Sequence, residues 1–487
     1  MKRFVKGLLS AVALLGVGLT LTACGSKKAA NDGETKTLTM YQIGDKPKNY
    51  DTLMAKANKI LEKKVNARLK INYIGYGDYA QKMSVIVSSG EGYDIAKADN
   101  YTVNAQKGAY ADLTQLLPKH ASKAYKSLDP AYIQGNKVNG KLYAMPVNAN
   151  VYRTQTIAFN NYFVKKYNID ISKVNSYQDL ESVLKKFHAA EPNVVAFKAT
   201  KGFKAEAGFD YPLTDRMPFA VDVTDGGDAT KIVNPYDSKR MQTNLGYLHK
   251  FYQKGYIPQD AATNTKEYGL NSNAWFARQE LVGPYDYGNQ ALSTASGKKN
   301  GIVTREISAP LKTTGQAQMF NWVVSNSSQN KVLSVKVLGV LNSDPELLNG
   351  LVWGEEGKAW EKTDQKDKIK LLDGYAADRS MGAWMTGDNS ILYTTIDVTD
   401  KMLKDRDESI ESAKTSPILG FNPDTSKIKT QITNIQNVMN QYTDQLNTGT
   451  ADPKATIKKM NAALKTAGYE EVRAELQKQY DQFRKAN

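Results

Sequence analysis

Hydrophobic and polar positions between residues 37 and 96 follow two different periods in turn. Residues 37–41, 68–74 and 93–96 have the alternation or short apolar run of a β-strand, whereas 53–65 and 79–88 carry apolar side chains every three or four positions, as amphipathic helices do. The resulting order is β-α-β-α-β with short connecting loops. This order predicts a parallel sheet with helices on its faces, and therefore an α/β fold.

The loops that follow the three predicted strands share a composition. Residues 41–46, 76–79 and 99–101 each combine a tyrosine with polar or acidic side chains. In a parallel sheet, ligands bind where loops leave the carboxyl ends of the strands. A single tyrosine at a strand end often does no more than cover the core, but three such loops together predict a binding site.

The last sixty residues carry the most regular helical pattern of the chain. Apolar side chains between 428 and 446 form one stripe, and two further helical segments follow Gly449 and Gly468, which are typical helix-ending residues. The spacing is too irregular for a coiled coil. It favours packing on the body of the protein, so we predict a C-terminal helical region at 425–487.

The start of the chain has the three parts of an export signal. Lys2, Arg3 and Lys6 precede an uncharged apolar run at 7–23, which ends in Leu-Thr-Ala directly before Cys24. This ending resembles the lipobox of bacterial lipoproteins, which implies cleavage before the cysteine and a diacylglyceryl anchor on its thiol. Two acyl chains are enough for stable anchoring. A permanent transmembrane helix and an ordinary core cysteine are the alternatives.

The N-terminal pattern also predicts where the protein acts. Residues 1–23 are interpreted as a lipoprotein signal peptide, and residues 24–36, which are small, polar and charged, as a flexible tether. No later apolar run is long enough to span a bilayer. We therefore expect a domain held by lipid on the extracellular face of the cell membrane of a Gram-positive bacterium.

Composition narrows the class of protein further. The 487 residues are enough for two or three domains, and the hydrophobic and charged contents of 41% and 24% are those of a globular protein. The formal net charge is +15, but the basic residues are scattered, and an exported location argues against a nucleic-acid partner. A solvated basic surface is the favoured interpretation.

The sequence offers little for catalysis. Cys24 is the only cysteine, and the three histidines lie far apart, so no disulfide, cofactor or metal site is expected. Glycoside hydrolysis would need two carboxylates beside the bond, and Glu355 with Glu356, or Asp45 with Asp99, could be nominated. The residues around these carboxylates in the sequence do not identify either pair as a catalytic acid and base. We therefore expect a protein that is not an enzyme.

Several short motifs together resemble a known family. Residues 44–47 (GDKP), 77–79 (GDY), 140–146 (GKLYAMP) and 353–358 (WGEEGK) are similar to the extracellular solute-binding lipoproteins of ABC importers, of the long family-1 type assigned to carbohydrate uptake. Residues 416–423 and the helices after them resemble the C-terminal domain of unknown function that defines this long subgroup. The motifs are specific jointly rather than singly, and the similarity extends over nearly the whole exported chain.

The resemblance implies a type II periplasmic-binding-protein-like fold: two parallel-sheet α/β lobes, hinge strands near 147–152 and 320–325, and a C-terminal helical extension. It also implies a monomer that closes around a carbohydrate, such as an oligosaccharide, and delivers it to ABC permease subunits. Peptide or another polar solute remains an alternative cargo, and a secreted glycan-processing enzyme a less favoured class. The expected boundaries are lobe I at 37–147 and 323–365, and lobe II at 148–322 and 366–424.

The strand-end loops and the family resemblance together give the candidate ligand-binding residues. Sugars bind flat aromatic faces and planar polar groups, although a tryptophan in a domain of this size is more often a core residue. Tyr285 stands where the maltose-binding branch of the family has the aromatic ring of a Gly-Pro-Trp motif. The candidates are Asp45, Tyr76, Asp99 and Tyr101 in the strand-end loops, Asn148, Tyr152, Asn321 and Trp322 in the hinge, and Trp275, Tyr285, Trp384 and again Trp322 as stacking rings.

Overall fold

A computed structural model describes residues 33–89, 92–297 and 301–486. The chain divides into a unit at Met1–Thr35 and a compact body at Lys36–Asn487. The predicted signal peptide, Cys24 and nearly all of the predicted tether lie outside the described residues. Within the described part, no helix has both the length and the apolar character needed to cross a membrane.

The first sheet of the body confirms the β-α-β-α-β prediction. The helices Tyr50–Val65 and Tyr79–Ser89 connect its first three strands, which run parallel. Two further strands are added in the antiparallel sense. In spatial order the strands are Ala67–Ile74, Lys36–Ile43, Ile95–Lys97, Asn321–Val324 and Ala144–Pro146.

The second sheet has four strands of mixed direction. Its inner strand Thr154–Asn160 runs antiparallel to both neighbours. The other inner strand, Trp275–Val282, runs parallel to the edge strand Val195–Lys198. Ser176 caps the covering helix Tyr177–Ala190 by accepting a hydrogen bond from the backbone N–H of Asp179. The spatial order is Ile302–Glu306, Thr154–Asn160, Trp275–Val282 and Val195–Lys198.

The C-terminal helices complete the core of the second sheet. Ile435, Met460 and Tyr480, one from each helix, belong to the same buried cluster as Leu248 and Phe251 of the helix Lys239–Gln253. The prediction that these helices pack on the body of the protein is thus confirmed. They are Lys429–Asn447, Pro453–Thr466 and Tyr469–Ala486.

Shorter elements fill the space around the two sheets. The remaining α-helices are Tyr101–Gln106, Leu116–His120, Ser122–Lys126, Pro130–Gly135, Asn161–Lys166, Gln290–Ala295, Thr314–Ala317, Lys331–Leu341, Pro345–Trp353 and Asp400–Ser412. The remaining strands are Lys137–Val138, Lys141–Leu142, Phe209–Asp210, Val221–Asp222, Leu311–Lys312, Trp360–Lys362, Lys368–Leu371, Thr394–Thr395 and Lys414–Thr415.

Three segments cross between the sheets, where the sequence predicts two. Leu311–Lys312 pairs with Lys414–Thr415, and Lys312 also forms a β-bridge with Tyr152. The predicted crossing near 320–325 needs correction, because Asn321–Val324 is a strand inside the first sheet and the chain crosses before it. The three crossings are 147–153, 307–320 and 396–417.

The prediction that the chain passes from lobe I to lobe II at residue 366 is also wrong, because the residues after 366 still pack on the first sheet. Met381 and Met385 belong to the hydrophobic cluster of the first sheet, not of the second. The reason is a small three-stranded sheet: Lys368–Leu371 pairs with Trp360–Lys362 and with Thr394–Thr395, which keeps the chain on the first side. The chain leaves this side only through the helix Asp400–Ser412.

A partly buried carboxylate, that of Asp210, is hydrogen-bonded to the third crossing. Ser416 Oγ donates a hydrogen bond to Asp210 Oδ2 at 2.5 Å, and the backbone N–H of Tyr211 donates to Oδ1 at 2.8 Å. Burial raises the pKa of Asp210 to about 6, and these hydrogen bonds only partly oppose it. Because the pKa is higher in the folded than in the unfolded chain, the native state holds an extra proton between pH 4 and pH 6, roughly.

We therefore predict that Asp210→Asn changes the pH dependence of stability. As the pH rises from about 4 to about 6, the free energy of unfolding of the unmodified chain should fall relative to that of the variant, because ionising a buried carboxylate costs free energy. Urea unfolding at several pH values measures the difference. Asp51→Asn, on a side chain that is 94% exposed, is the control. A difference that stays constant with pH would contradict the prediction.

Candidate functional site

The carboxyl ends of the parallel strands in the first sheet bring two of the predicted loops together. The backbone N–H of Gly44 donates to the carbonyl of Ile74 at 2.8 Å, and the ring of Tyr76 lies against Gly44. Gly44 has a φ of +115°, and a Cβ there would lie 3.3 Å from Tyr76 Oη, so a side chain would be strained and would crowd the ring. Tyr76 is 57% exposed.

Charged groups accompany these loops. Asp45 is exposed. The partial burial of Tyr76 is the main cause that raises the pKa of its hydroxyl group, and the negative charge of Asp45 is the second cause. Asp99 follows the strand Ile95–Lys97, and its half-burial raises the pKa of its carboxyl group, against the opposing effect of Lys97. Asn100 Nδ2 donates to Asp99 Oδ2 at 3.2 Å. The strand ends therefore present hydrogen-bond acceptors beside an exposed aromatic ring.

Trp384 is held at the same edge by a ladder of rings. Its centroid lies 5.7 Å from that of Phe320 at an interplanar angle of 87°, and Phe320 lies 5.0 Å from Trp322 at 72°. Trp322 Nε1 donates to the carbonyl of Thr386 at 3.2 Å, and Gln42 reaches the carbonyl of Met385. Trp384 is 41% exposed, whereas Trp322 is 1% exposed. The ring that can meet a ligand is therefore Trp384.

The opposite wall follows the strand Trp275–Val282 and is fixed by the first crossing. Asn150 Oδ1 accepts the backbone N–H of Tyr285 at 2.9 Å, and its Nδ2 donates to Asp286 at 3.3 Å. A Cβ on Gly283 would lie 2.3 Å from Asn150 Cγ, so only glycine allows this close approach. A residue of a crossing segment thus sets the position of this loop.

The face of Tyr285 is covered by an arginine that the sequence gives no reason to select. The guanidinium of Arg406 lies 5.2 Å from the ring centroid of Tyr285 and 5.9 Å from that of Tyr287, and Nη1 donates to Tyr287 Oη at 3.2 Å. Burial and the charge of Asp388 raise the pKa of Tyr285, while Arg406 opposes them. In this conformation the predicted stacking ring is paired with Arg406.

Four candidates from the sequence are framework residues in the structure. Tyr101 Oη donates to the carbonyl of Asn136, and Asn321 Nδ2 donates to Asn136 Oδ1 at 2.6 Å. Asn148 Nδ2 donates to Asp388 at 2.8 Å, and Tyr152 is 6% exposed within the first core. Their burial and internal hydrogen bonds leave them no free surface for a ligand in this conformation.

Trp275 is also buried, and it lies away from the other candidates. It begins the strand Trp275–Val282, and the other end of this strand, which leads to Tyr285, lies seven residues or about 23 Å away along the backbone. Its side chain is fully buried, and Nε1 donates to the carbonyl of Gly269 at 3.0 Å. Burial and distance thus do not support Trp275 as a stacking ring.

The structure thus keeps Asp45, Tyr76, Asp99 and Trp384 as accessible candidates. It adds two supporting residues, Phe320, which is 4% exposed and packs against Trp384, and Arg406, whose side chain is 14% exposed and covers Tyr285. Arg406 lies in the charged helix Asp400–Ser412, which reads in sequence as a solvated surface. The described residues include no group of three or more histidine, cysteine or acidic side chains arranged to hold a metal ion.

Two sheets joined by three crossings, with rings and carboxylates at the facing strand ends, define a two-lobed solute-binding protein. Residues 54–349 match the model of the bacterial extracellular solute-binding protein family, and residues 417–485 match a domain of unknown function, DUF3502. The chain belongs to the bacterial extracellular solute-binding protein family.

Three relatives of known description cover most or all of the chain. It is 49% identical to a "Carbohydrate ABC transporter substrate-binding protein" of Streptococcus pneumoniae, over 100% of this chain and 99% of the relative. The crystal structure of the N-glycan transport solute binding protein NgtS from the same species has a TM-score of 0.90 at 50% identity, covering 92% of this chain and 99% of that one. The structure of NgtS in complex with Man5GlcNAc has a TM-score of 0.79 at 50% identity and covers 93% of this chain and 99% of that one.

Proposed function

We propose that this protein captures an oligosaccharide outside the cell and delivers it, chemically unchanged, to the permease of an ABC transporter. The observation that carries the proposal is the exposed ring of Trp384, supported from behind by Phe320 and placed at the same strand ends as Tyr76 and Asp99. The similarity to NgtS over 92% of this chain, and to a carbohydrate transporter subunit over 100% of it, supports the same class of ligand.

The chemistry of the facing strand ends suits a sugar. A pyranose presents one apolar face, which an aromatic ring such as that of Trp384 can cover, and a rim of hydroxyl groups, which carboxylates and guanidinium groups can bind. Asp45 and Asp99 offer acceptors on one wall, and Arg406 offers donors on the other. The ligand would therefore meet groups from both sides.

Lobe closure is part of the proposal. A ligand that contacts both walls favours the arrangement in which the walls are closest, because only that arrangement makes all the contacts. The three crossings are the segments that would absorb the change. At the same 50% identity, this chain has a TM-score of 0.90 to one NgtS structure and of 0.79 to NgtS in complex with Man5GlcNAc. This difference supports a fold whose lobes adopt two relative arrangements.

Replacing Trp384 by alanine tests the proposed stacking ring. We expect the variant to bind Man5GlcNAc more weakly by about 1–2 kcal/mol, roughly a tenfold rise in Kd, because the apolar contact and the stacking are lost. Isothermal titration calorimetry measures the change.

Tyr162→Ala is the matched control for that variant. Tyr162 is also a partly exposed ring, at 42%, but it follows the end of the strand Thr154–Asn160 that points away from the crossing. Equal Kd values for the Trp384 and Tyr162 variants would remove Trp384 from the site. Binding of peptides or polyamines, with no binding of any glycan, would leave the receptor function in place and exclude an oligosaccharide as its ligand.

Closure predicts a smaller molecule when ligand is bound. Small-angle X-ray scattering of residues 25–487 should show a lower radius of gyration at saturating Man5GlcNAc than without it. The same titration with the Trp384→Ala variant should need a higher concentration for the same decrease. An unchanged radius at saturation, confirmed by calorimetry, would rule out closure.

We also propose that the receptor is held at the membrane by lipid on Cys24. The support is the Leu-Thr-Ala-Cys sequence at the end of an apolar run, together with membership of an extracellular family. Two acyl chains give stable anchoring, at about 0.8 kcal/mol for each buried CH₂.

Replacing the cysteine tests the anchor. In a Gram-positive host, Cys24→Ser should abolish incorporation of labelled fatty acid and move the protein out of the membrane fraction, whereas Ser26→Ala should change neither. A Cys24→Ser protein that stays in the membrane fraction after correct export would show that another feature anchors it.

A further inference from the structure

A second, polar pocket lies between the second sheet and the C-terminal helices. Its volume is about 480 Å³, and it is open to solvent on one side. One wall is formed by the segments 201–204 and 215–216, and the other by residues 440–447 of the helix Lys429–Asn447. The pocket shares no residue with the strand-end site described above.

Hydrogen bonds between the two walls fix the shape of this pocket. The backbone N–H of Gly202 donates to Asp444 Oδ1 at 3.0 Å, and that of Ala205 donates to Asn447 Oδ1 at 3.0 Å. Asn447 is 4% exposed and also donates to Tyr236 Oη at 3.3 Å. The loop is therefore held to the C-terminal helix by one buried hydrogen bond, from Ala205 to Asn447, and by one exposed hydrogen bond, from Gly202 to Asp444.

The charges in the pocket are not balanced. Of its three cationic side chains, Lys204 forms an ion pair with Asp215. Lys201 and Arg216 are exposed, and neither has a carboxylate within ion-pair distance anywhere in the described parts of the chain. Asp444, the other acidic residue, accepts from the backbone of Gly202. Two unpaired cations, one of them a guanidinium, favour a carboxylate or phosphate as the bound group.

The other lining groups suit hydroxyl groups rather than apolar surface. Asn440, Gln441 and Gln445 present exposed amides along one face of the helix, and Thr263 adds a hydroxyl from the opposite side. Planar amides donate and accept hydrogen bonds in the geometry that sugar hydroxyls need. Phe203 contributes a partly buried ring.

We propose that this pocket is a second binding site, for a saccharide that carries a carboxylate or a phosphate, with Lys201 and Arg216 binding the anion. The C-terminal helical region then has a binding role, because it supplies one wall. The proposal is independent of which oligosaccharide occupies the strand-end site.

Calorimetry with three small probes tests the second site. Residues 25–487 are titrated at low ionic strength with 3′-sialyllactose, which carries a carboxylate, with glucose 6-phosphate, and with neutral lactose. We expect an acidic probe to bind and lactose not to bind, and the double variant Lys201→Gln/Arg216→Gln to raise the Kd of the acidic probe at least tenfold. The responses to the two acidic probes show whether the site prefers carboxylate or phosphate. Raising the salt concentration should weaken the interaction.

Control variants separate this site from the strand-end site. Lys173→Gln removes an exposed lysine elsewhere and should leave all binding unchanged. The double variant should bind Man5GlcNAc as the unmodified chain does, which also shows that it is folded. Trp384→Ala should leave acidic-probe binding intact.

Several results would overturn the proposal. Equal binding of lactose would exclude the anionic class, and loss of acidic-probe binding in Trp384→Ala would place the probe in the strand-end site. Absence of binding by both acidic probes, with Man5GlcNAc still bound, would remove the second site and leave the proposed transport function untouched.

Discussion

The ion pair between Lys312 and Asp129 is the constraint that aligns the two halves of the molecule. Its atoms lie 2.8 Å apart, and both side chains are largely buried, so removing one partner would leave an uncompensated charge at a cost of about 3–5 kcal/mol. Asp129 also caps the helix Pro130–Gly135 of the first half. Since the backbone of Lys312 pairs with Tyr152 and with the strand Lys414–Thr415, while its ammonium group binds Asp129, one residue connects all three crossings to the first half.

The two walls of the strand-end site depend on this alignment in different ways. The first wall is built by strand ends and by a ladder of rings that begins in the core at Trp322. The second wall is positioned by Asn150, which itself belongs to a crossing. A movement of the crossings therefore moves the loop of Tyr285 directly. In the proposed site, ligand binding and lobe closure would be coupled through the amide of Asn150, which positions this loop.

Sequence reasoning predicted the regular parts of this fold and only some of the site. The strand–helix alternation at 37–96 and the C-terminal helices were readable because each period repeats over many residues. Lys414–Thr415 is too short to leave a pattern. Trp322 and Trp384 have the same chemical character in sequence, and only packing against Phe320 decides which of them is exposed.

The position of the C-terminal helices has a consequence for the order of folding. Val472, Leu476 and Tyr480, among the last residues of the chain, lie in the core that covers the second sheet. The helices Tyr177–Ala190 and Lys239–Gln253 can pack on the strands of that sheet soon after they are made, but the part of the core that Val472, Leu476 and Tyr480 fill stays open until the helix Tyr469–Ala486 has emerged. The core of the second sheet is therefore completed by residues made long after its strands, which makes this half of the molecule slower to finish folding than the first sheet.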